Sequence, residues 1–411
     1  MKKTLIALAA LAATGASFAQ VTLYGTMDAG LYSINVNTAA GTATITGLGS
    51  SQMSSSKLGF MGTEDLGGGM SAIFKLEGGI GVDTGASSSS ATRSVSANNQ
   101  ATGAGVVTAA NGTVGNTSLS GAQGLVFGRY SFVGLKGGMG ELHLGREYTS
   151  TFIQGIAAVD PFQTNGVAGS NNMMLNLGLT KAQFTATSAS NMVTYTTPDL
   201  GGLTGTVQAY FGENSSTSAI PGAAANVGDG YSATLRYAAG PVYVSLGQQS
   251  TKGIIQAAVA PGATNSQVAT FGDYTVTTAA AAYNFGVAKV NYMYSQEQLV
   301  GGLGGTSTAT NTSNGLGVIV PFGATNLKAQ YIASVANSGA AGAVDAKGNI
   351  VSVGADYALS KRTTVYGVYS NVTNDAGSTY YVNSGLTAAA TGALTAGGSS
   401  NGYALGLKHT F

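Results

Sequence analysis

The chain has 411 residues, with 17 Lys and Arg against 16 Asp and Glu, so only 8% of it is charged and the net charge is +1. Ordinary soluble domains are roughly one quarter charged, so their usual solvated surface cannot be built from this composition. The near balance of sign offers no field to attract nucleic acid, and the absence of Cys excludes a disulfide framework or a thiolate metal site.

The first stretch, MKKTLIALAALAATGASFAQ, has Lys2 and Lys3, an apolar run over 5–13, and the small residues Ser17 and Ala19. This is the pattern of a secretory leader, and it predicts that residues 1–19 are cleaved on export and that 20–411 form one mature domain. The apolar run falls short of the ~20 residues a spanning helix needs, and no later window supplies them.

Beyond residue 20 the dominant period is two. In VTLYGTMDAGL, Val21, Leu23, Met27 and Leu31 share one face, while Thr22, Thr26 and Asp28 share the other. The same alternation sets Leu203, Val207 and Phe211 against Thr204, Thr206 and Gln208, and later Leu327, Ala329 and Tyr331 against Asn326, Lys328 and Gln330. Sixteen strands are predicted, over 21–33, 56–64, 70–80, 125–136, 140–149, 191–198, 203–212, 230–238, 242–250, 273–284, 286–296, 314–321, 324–335, 349–358, 363–372 and 402–411. Short turns such as DLGGG (65–69) and PFG (321–323) alternate with long Ser/Thr/Ala/Gly segments, near 34–55, 81–124, 150–190, 213–229, 251–272, 297–313, 336–348 and 373–401.

Ten residues at about 3.3 Å each, tilted about 45°, rise roughly 23 Å, the height of the apolar band of an outer-membrane barrel. Lipid tolerates a sheet only if every backbone N–H and C=O is paired, so such a sheet must close, with the last strand GYALGLKHTF against the first. The predicted fold is therefore all-β, a transmembrane antiparallel barrel of sixteen strands. A ring this wide encloses water. Tyr24, Tyr195, Tyr292, Tyr294, Tyr357 and Tyr403 are candidates for the aromatic girdles at the two rims, with Phe411 at one of them. The competing reading is a soluble all-β sandwich or a β-solenoid; no fixed-length repeat supports the solenoid.

Several stretches carry a family likeness: VTLYGTMDAGL, SSKLGFMGTEDLGGGMSAIFKLE (55–77), FGRYSFVGLKGGMGELHLGREYT (127–149), VDPF (159–162), MVTYTTPDLGGLTGTVQAY (192–210), VGADYALSKRTTVYGVYS (353–370) and the closing GYALGLKHTF. In these the chain resembles the trimeric general porins of Gram-negative outer membranes, in their β-proteobacterial branch. The resemblance implies short periplasmic turns, long extracellular loops and a homotrimer in outer-membrane lipid that passes small hydrophilic solutes and ions by diffusion. It also implies that Phe411 belongs to a signal read by the barrel-assembly machinery. The third long loop, 150–190, is implied to fold into the lumen as a constriction carrying Asp160 and Lys181. Opposite it, a basic cluster from the second, fourth and sixth strands is implied. Lys57 and Arg129 match the first two positions, and Thr194 stands where the third basic residue is usual, so the expected selectivity is a mild anion preference or near neutrality.

Alternation by itself points Lys57, Lys75, Arg129, Arg236, Lys289, Lys328 and Lys408 inward, together with Asp28, Glu77, Glu141, Glu147 and Asp356. Charges at a narrow, low-dielectric passage act strongly on ions, and Lys57, Lys75, Glu77, Arg129, Asp160 and Lys181 are the candidate selectivity residues. Each has a plainer alternative, a charge solvated in a wide lumen; for Asp160 it is a cap on the turn before Pro161. Arg146 is open as well: strict alternation with Leu142 and Leu144 aims it at lipid, whereas a bulge at Gly145 turns it inward.

An outer-membrane hydrolase is a rival reading, but His143 and His409 are the only histidines and neither lies in a GxSxG context. No enzyme activity, metal or other cofactor is expected. The Gly runs lack the strand-to-helix context of a phosphate cradle. An adhesive, plugged barrel and a solute-specific channel remain as rivals to an open pore.

Overall fold

The computed structural model describes residues 20–86, 127–175, 186–212, 228–252, 255–258, 267–270, 272–300, 308–339, 342–382 and 395–411. The strands in chain order are β1 (Gln20–Thr38), β2 (Gly41–Ser50), β3 (Lys57–Gly67), β4 (Met70–Gly79), β5 (Tyr130–Gly137), β6 (Gly140–Tyr148), β7 (Ser188–Thr196), β8 (Leu203–Tyr210), β9 (Gly230–Ala239) and β10 (Val242–Thr251). They continue as β11 (Ile255–Ala258), β12 (Gln267–Thr270), β13 (Tyr274–Asn284), β14 (Lys289–Leu299), β15 (Ala309–Phe322), β16 (Thr325–Asn337), β17 (Ala346–Ala358), β18 (Thr363–Asn374) and β19 (Ser400–Thr410).

β11 and β12 form a ribbon of their own, and all other strands belong to one sheet that returns on itself. The closing pair is β1 with β19, antiparallel from Thr26↔Thr410 to Val36↔Ser400. The first half of β1 pairs with β3 and its second half with β2, so β2 and β3 are two halves of one stave and the wall has sixteen staves. Among the described residues the wall leaves no gap in its pairing, as an apolar medium demands of the backbone.

The segment 34–55, expected as a loop, is in large part the β1–β2 hairpin. Its Ser/Thr/Gly-rich composition looks like loop, but the alternating Thr42, Thr44 and Thr46 are good strand formers. Thr44 and Thr46 hydrogen-bond across to Asn35 and Ser33 on β1. β15, β16 and β17 likewise run further towards the loops than the sequence pattern predicts.

The burial pattern is the reverse of a soluble domain's: Leu405 is 62% exposed on the outer face, while Ser370, on an inner face, is fully buried. Large exposed apolar residues occur all round the wall, including Leu31, Val133, Val207, Leu246, Leu316 and Val351. Such a continuous belt is stable only against lipid.

After β6 the chain turns inward. A helical turn (Ser150–Phe152) and a π turn (Ile153–Ala157) pack against β8, β9, β10, β13 and β14. Tyr243 on β10 donates its hydroxyl to the Gln154 carbonyl at 2.6 Å, Ser334 on β16 reaches Met173 O, and Ser352 on β17 reaches Ala168 O. The loop therefore lies along the inside of the β8–β17 wall. An inner face that is wet throughout, as the alternation suggests, is not what forms. Phe152, Ile156, Val159, Phe162, Val167, Met173 and Met174 of the loop join Val276, Met293, Ile332 and Ile350 of the wall in one apolar cluster inside the barrel.

Candidate pore constriction

The loop crosses the lumen and its tip meets the β2–β3 junction. There Ser55 Oγ donates to Asn165 Oδ1 at 3.2 Å, and Gly166 lies directly against the backbone of Gln52. The junction is itself stapled to β1: the buried Asp28 carboxylate accepts the backbone N–H groups of Gln52, Met53 and Ser54 and, at 2.5 Å, the Tyr366 hydroxyl. Between the loop and the opposite wall a cavity of about 420 Å³ remains, lined by Lys57, Arg129 and Tyr148 on one side and by Phe152, Gln163, Thr164 and Asn165 on the other.

The wall side is cationic. Lys57 opens β3, Lys75 and Glu77 lie on β4, and Arg129 precedes β5; Glu77 pairs across the sheet with Tyr130 and with Gly59. Glu77 is the hub. It accepts the Arg129 Nε–H at 2.6 Å and the Tyr24 hydroxyl at 2.8 Å, and it lies 3.8 Å from Lys75 Nζ. The Lys75 ammonium stands 3.6 Å from the centroid of the Tyr130 ring and 5.8 Å from that of Tyr24, and the Arg129 guanidinium 5.2 Å from that of Tyr148. Cations over aromatic faces are held without being neutralised. Tyr24 therefore serves this cluster from inside the barrel and takes no part in a lipid-facing girdle, whereas Tyr195, Tyr292, Tyr357 and Tyr403 are exposed.

The loop side departs from the expectation for Asp160. Its carboxylate is buried and accepts the backbone N–H groups of Phe162 (2.7 Å), Thr164 (2.9 Å) and Ser170 (2.9 Å). Burial raises this carboxyl above its ordinary value, against the pull of those N–H donors. It thus ties the loop tip together instead of standing free towards the wall cations. Gln163 and Thr164, within that tip, both hold positive φ (57° and 64°), a strained conformation that the Asp160 hydrogen bonds fix in place. Lys181 lies outside the described residues, as does the leader 1–19.

Arg146 turns inward. Its β6–β7 register shifts between Gly145 and Glu147, and Gly145 sits at φ 147°, where a Cβ would fall 2.1 Å from Ser131 O. The re-aimed guanidinium binds Gly128 O at 2.6 Å, Ser190 Oγ at 2.8 Å and Ser188 Oγ at 3.0 Å, next to Arg129. A fourth basic side chain, besides Lys57, Lys75 and Arg129, is therefore brought to the wall from β6, whereas on β7 Thr194 is buried and accepts a hydrogen bond from Gln208. Below the constriction, His143 lies between Glu141 (3.5 Å) and Glu147 (3.3 Å) and stacks on Phe132, while Glu141 pairs with Lys136. Lys328 pairs with Asp356 at 2.7 Å, and Arg236 donates to Thr204.

A closed barrel with an apolar exterior and a polar lumen narrowed by one inward loop defines a channel of the outer-membrane class. The chain belongs to the Gram-negative porin family, whose profile matches residues 4–377. It is 34% identical to outer membrane porin protein 32 of Delftia acidovorans over the whole of both chains. It is 26% identical to an outer membrane porin protein of Bordetella pertussis, over 91% of this chain and 95% of that one. Among solved structures it is similar to the anion-selective porin from Comamonas acidovorans, with a TM-score of 0.71 at 29% identity over 96% of this chain and all of that one. A loop-deletion mutant of OmpT from Vibrio cholerae shares the fold at 14% identity, with a TM-score of 0.62 over 95% of this chain and 99% of that one. The protein is thus a porin of the Gram-negative outer membrane.

Proposed function

We propose that the chain is a general diffusion porin with a mild anion preference, its passage running between the loop 150–190 and the wall residues Lys57, Lys75 and Arg129. The observation that carries this reading is the charge of the site. Arg129 and Lys75 pair with a single carboxylate, Glu77, Lys57 stands within its field without pairing to it, and the described loop tip facing this wall offers neutral Gln163, Thr164 and Asn165. Solutes below a size limit follow their own gradient, and the positive wall favours anions because the narrow passage screens them less than bulk water does. The related anion-selective structure agrees with this sign. No chemistry is performed on the solute. Export through a leader cleaved after Ala19, assembly as a homotrimer, and a role for Phe411 as the assembly signal belong to the same reading.

Single-channel recording in a planar bilayer under a KCl gradient tests it, comparing wild type with Arg129→Ala. Conductance steps in groups of three, a wild-type reversal potential on the anion side and a shift towards cations in the variant are expected. Insertion without conduction would overturn the open pore in favour of a plugged, adhesive barrel. An unchanged reversal potential would remove Arg129 from the selector.

A further inference from the structure

We propose that the last long connection supplies a brace for the constriction loop, with Tyr380 as its positioning residue; this rests on the reading of 150–190 as the constriction. The described part of that connection, 375–382 and 395–399, does not stand clear of the barrel. Tyr380 and Val382 are 9% and 0% exposed, and both belong to the apolar cluster inside the wall that also takes in Met173 and Met174 of the constriction loop. A connection between strands ordinarily runs over the surface. This one sends two large side chains inward.

Local hydrogen bonds set its path. The Asn374 side chain, at the end of β18, holds both backbone groups of Tyr380, accepting the N–H at 2.9 Å and donating to the carbonyl at 2.8 Å. Ser400 Oγ, at the start of β19, accepts the Val382 N–H at 3.2 Å, and Val382 then lies over Gly402, where an added Cβ would stand 2.9 Å from its Cγ1. The Tyr380 ring lies over Gly348 on β17, where a Cβ would stand 2.5 Å from its Cδ2, and its hydroxyl reaches Asn311 Oδ1 on β15 at 3.4 Å. Asn311 in turn donates to the buried Glu297 carboxylate at 2.9 Å, which also accepts the hydroxyl of Tyr274, a residue lining the passage. The segment thus follows the inner wall from β19 back to β15.

The register of the wall brings it to the constriction loop. Gly348 is the cross-strand partner of Ser334, and Ser334 is the residue that holds Met173 O. Opposed residues on paired strands lie about 5 Å apart, so the Tyr380 ring and the Met173 turn occupy neighbouring places on the wall. Two residues further along the same strands Ile332, Ile350 and Val372 form a fully buried cross-strand row. A rigid ring packed at that place stops the turn from sliding along the wall, and the passage keeps its width.

Single-channel recording in KCl of wild type, Tyr380→Phe, Tyr380→Ala, Met173→Ala and the combined Tyr380→Ala and Met173→Ala variant tests the brace, with heat-modifiable mobility reporting whether each barrel forms. Tyr380→Phe keeps the ring and loses one neutral hydrogen bond, so the odds of displaced current levels are expected to rise by roughly fivefold or less. Tyr380→Ala removes the wedge and is expected to raise them by roughly a hundredfold, replacing the steady current by flicker. The two residues act on one contact, so Met173→Ala added to Tyr380→Ala is expected to change little more. A steady level in Tyr380→Ala, or effects of the two alanine substitutions that simply multiply, overturns the proposal. Where the Tyr380→Ala barrel does not form, Val382→Ala loosens the same segment at its other end and is expected to flicker likewise; a steady trace there overturns the brace equally. Hydrogen exchange over 159–174, read by mass spectrometry on the intact barrel, is expected to quicken in the variant that flickers, and unchanged exchange overturns the brace. That readout needs no conduction, so a wild type that does not conduct overturns the open pore while exchange still decides the brace.

Discussion

At the scale of single residues, Asp160 shows how position decides between two roles open to one carboxylate. Beside Pro161 in a loop, Asp is equally suited to cap a turn or to project charge into a channel, and the residues around it in sequence do not choose. Three backbone N–H donors converge on it, and the tip they close holds two residues at positive φ. Hydrogen bonds to a charged acceptor contribute about 1.5–3 kcal/mol each against an unmade alternative. Asp160→Ala is therefore expected to loosen the loop by about 3 kcal/mol or more without opening the barrel wall, and recordings should show higher mean conductance with flickering. A quiet trace at the wild-type level would mean that the apolar contacts hold the loop unaided. Lys57, Lys75, Glu77 and Arg129 were legible as inward from alternation alone. Tyr24 shares the face of Thr22, Thr26 and Asp28 and was inward by the same rule, but its aromatic ring suggested a girdle; its hydrogen bond to Glu77 shows that the alternation was the better guide.

At the scale of elements, the constriction loop is seated by features of the wall that interrupt an otherwise polar pattern. Asn291, Ser295 and Glu297 share the inner face of β14 with Met293; Lys328, Gln330 and Ser334 share that of β16 with Ile332; and Ser352 shares that of β17 with Ile350. Three apolar residues on hydrophilic faces were a readable sign that something covers them from within. The strict two-residue alternation drew attention away from it, since a single exception per strand looks like noise. Where the loop comes closest, Gly317 on β15 leaves room for Pro161, whose Cγ would stand 2.6 Å from an added Cβ. Gly317→Val is expected to displace the loop towards the passage at an overpacking cost of roughly 1–3 kcal/mol, and single-channel conductance should fall while the barrel still forms. Unaltered conductance with normal assembly would show that the loop can slide along the wall. The Arg146 bulge belongs to this scale as well: the glycine at its centre hinted at it, but only the shifted register of β6 against β7 turns the side chain inward.

At the scale of the whole molecule, the fold was the most legible feature. A period of two repeated in every strand, a near absence of charge and alternating short and long connections leave a closed barrel as the arrangement that satisfies both backbone and lipid. The loops were read less well, because Thr-rich segments suit turns and strands alike, as the β1–β2 hairpin shows. Phe411 completes the closure. Its backbone exchanges hydrogen bonds with Gly25 at 3.1 Å in both directions, and its ring lies over that residue, where a Cβ would stand 2.5 Å from Cζ. Removing Phe411 is expected to lower the yield of barrel in the outer membrane several-fold, as measured by heat-modifiable mobility on gels, while any barrel that does form conducts normally. A normal yield would separate the terminal ring from assembly.

The pairing of β1 with β19 has a further consequence in time. Thr26 and Thr410 are partners, so the contact that finishes the wall joins the first and last strands of the described residues. Contacts of such sequence separation form late and slowly, because the intervening chain must be ordered first. Until that moment every partial sheet carries two raw edges bordered by apolar side chains, a surface prone to join a neighbour's. The open sheet is thus at its most adhesive just before the ring is shut, and closure removes both edges at once.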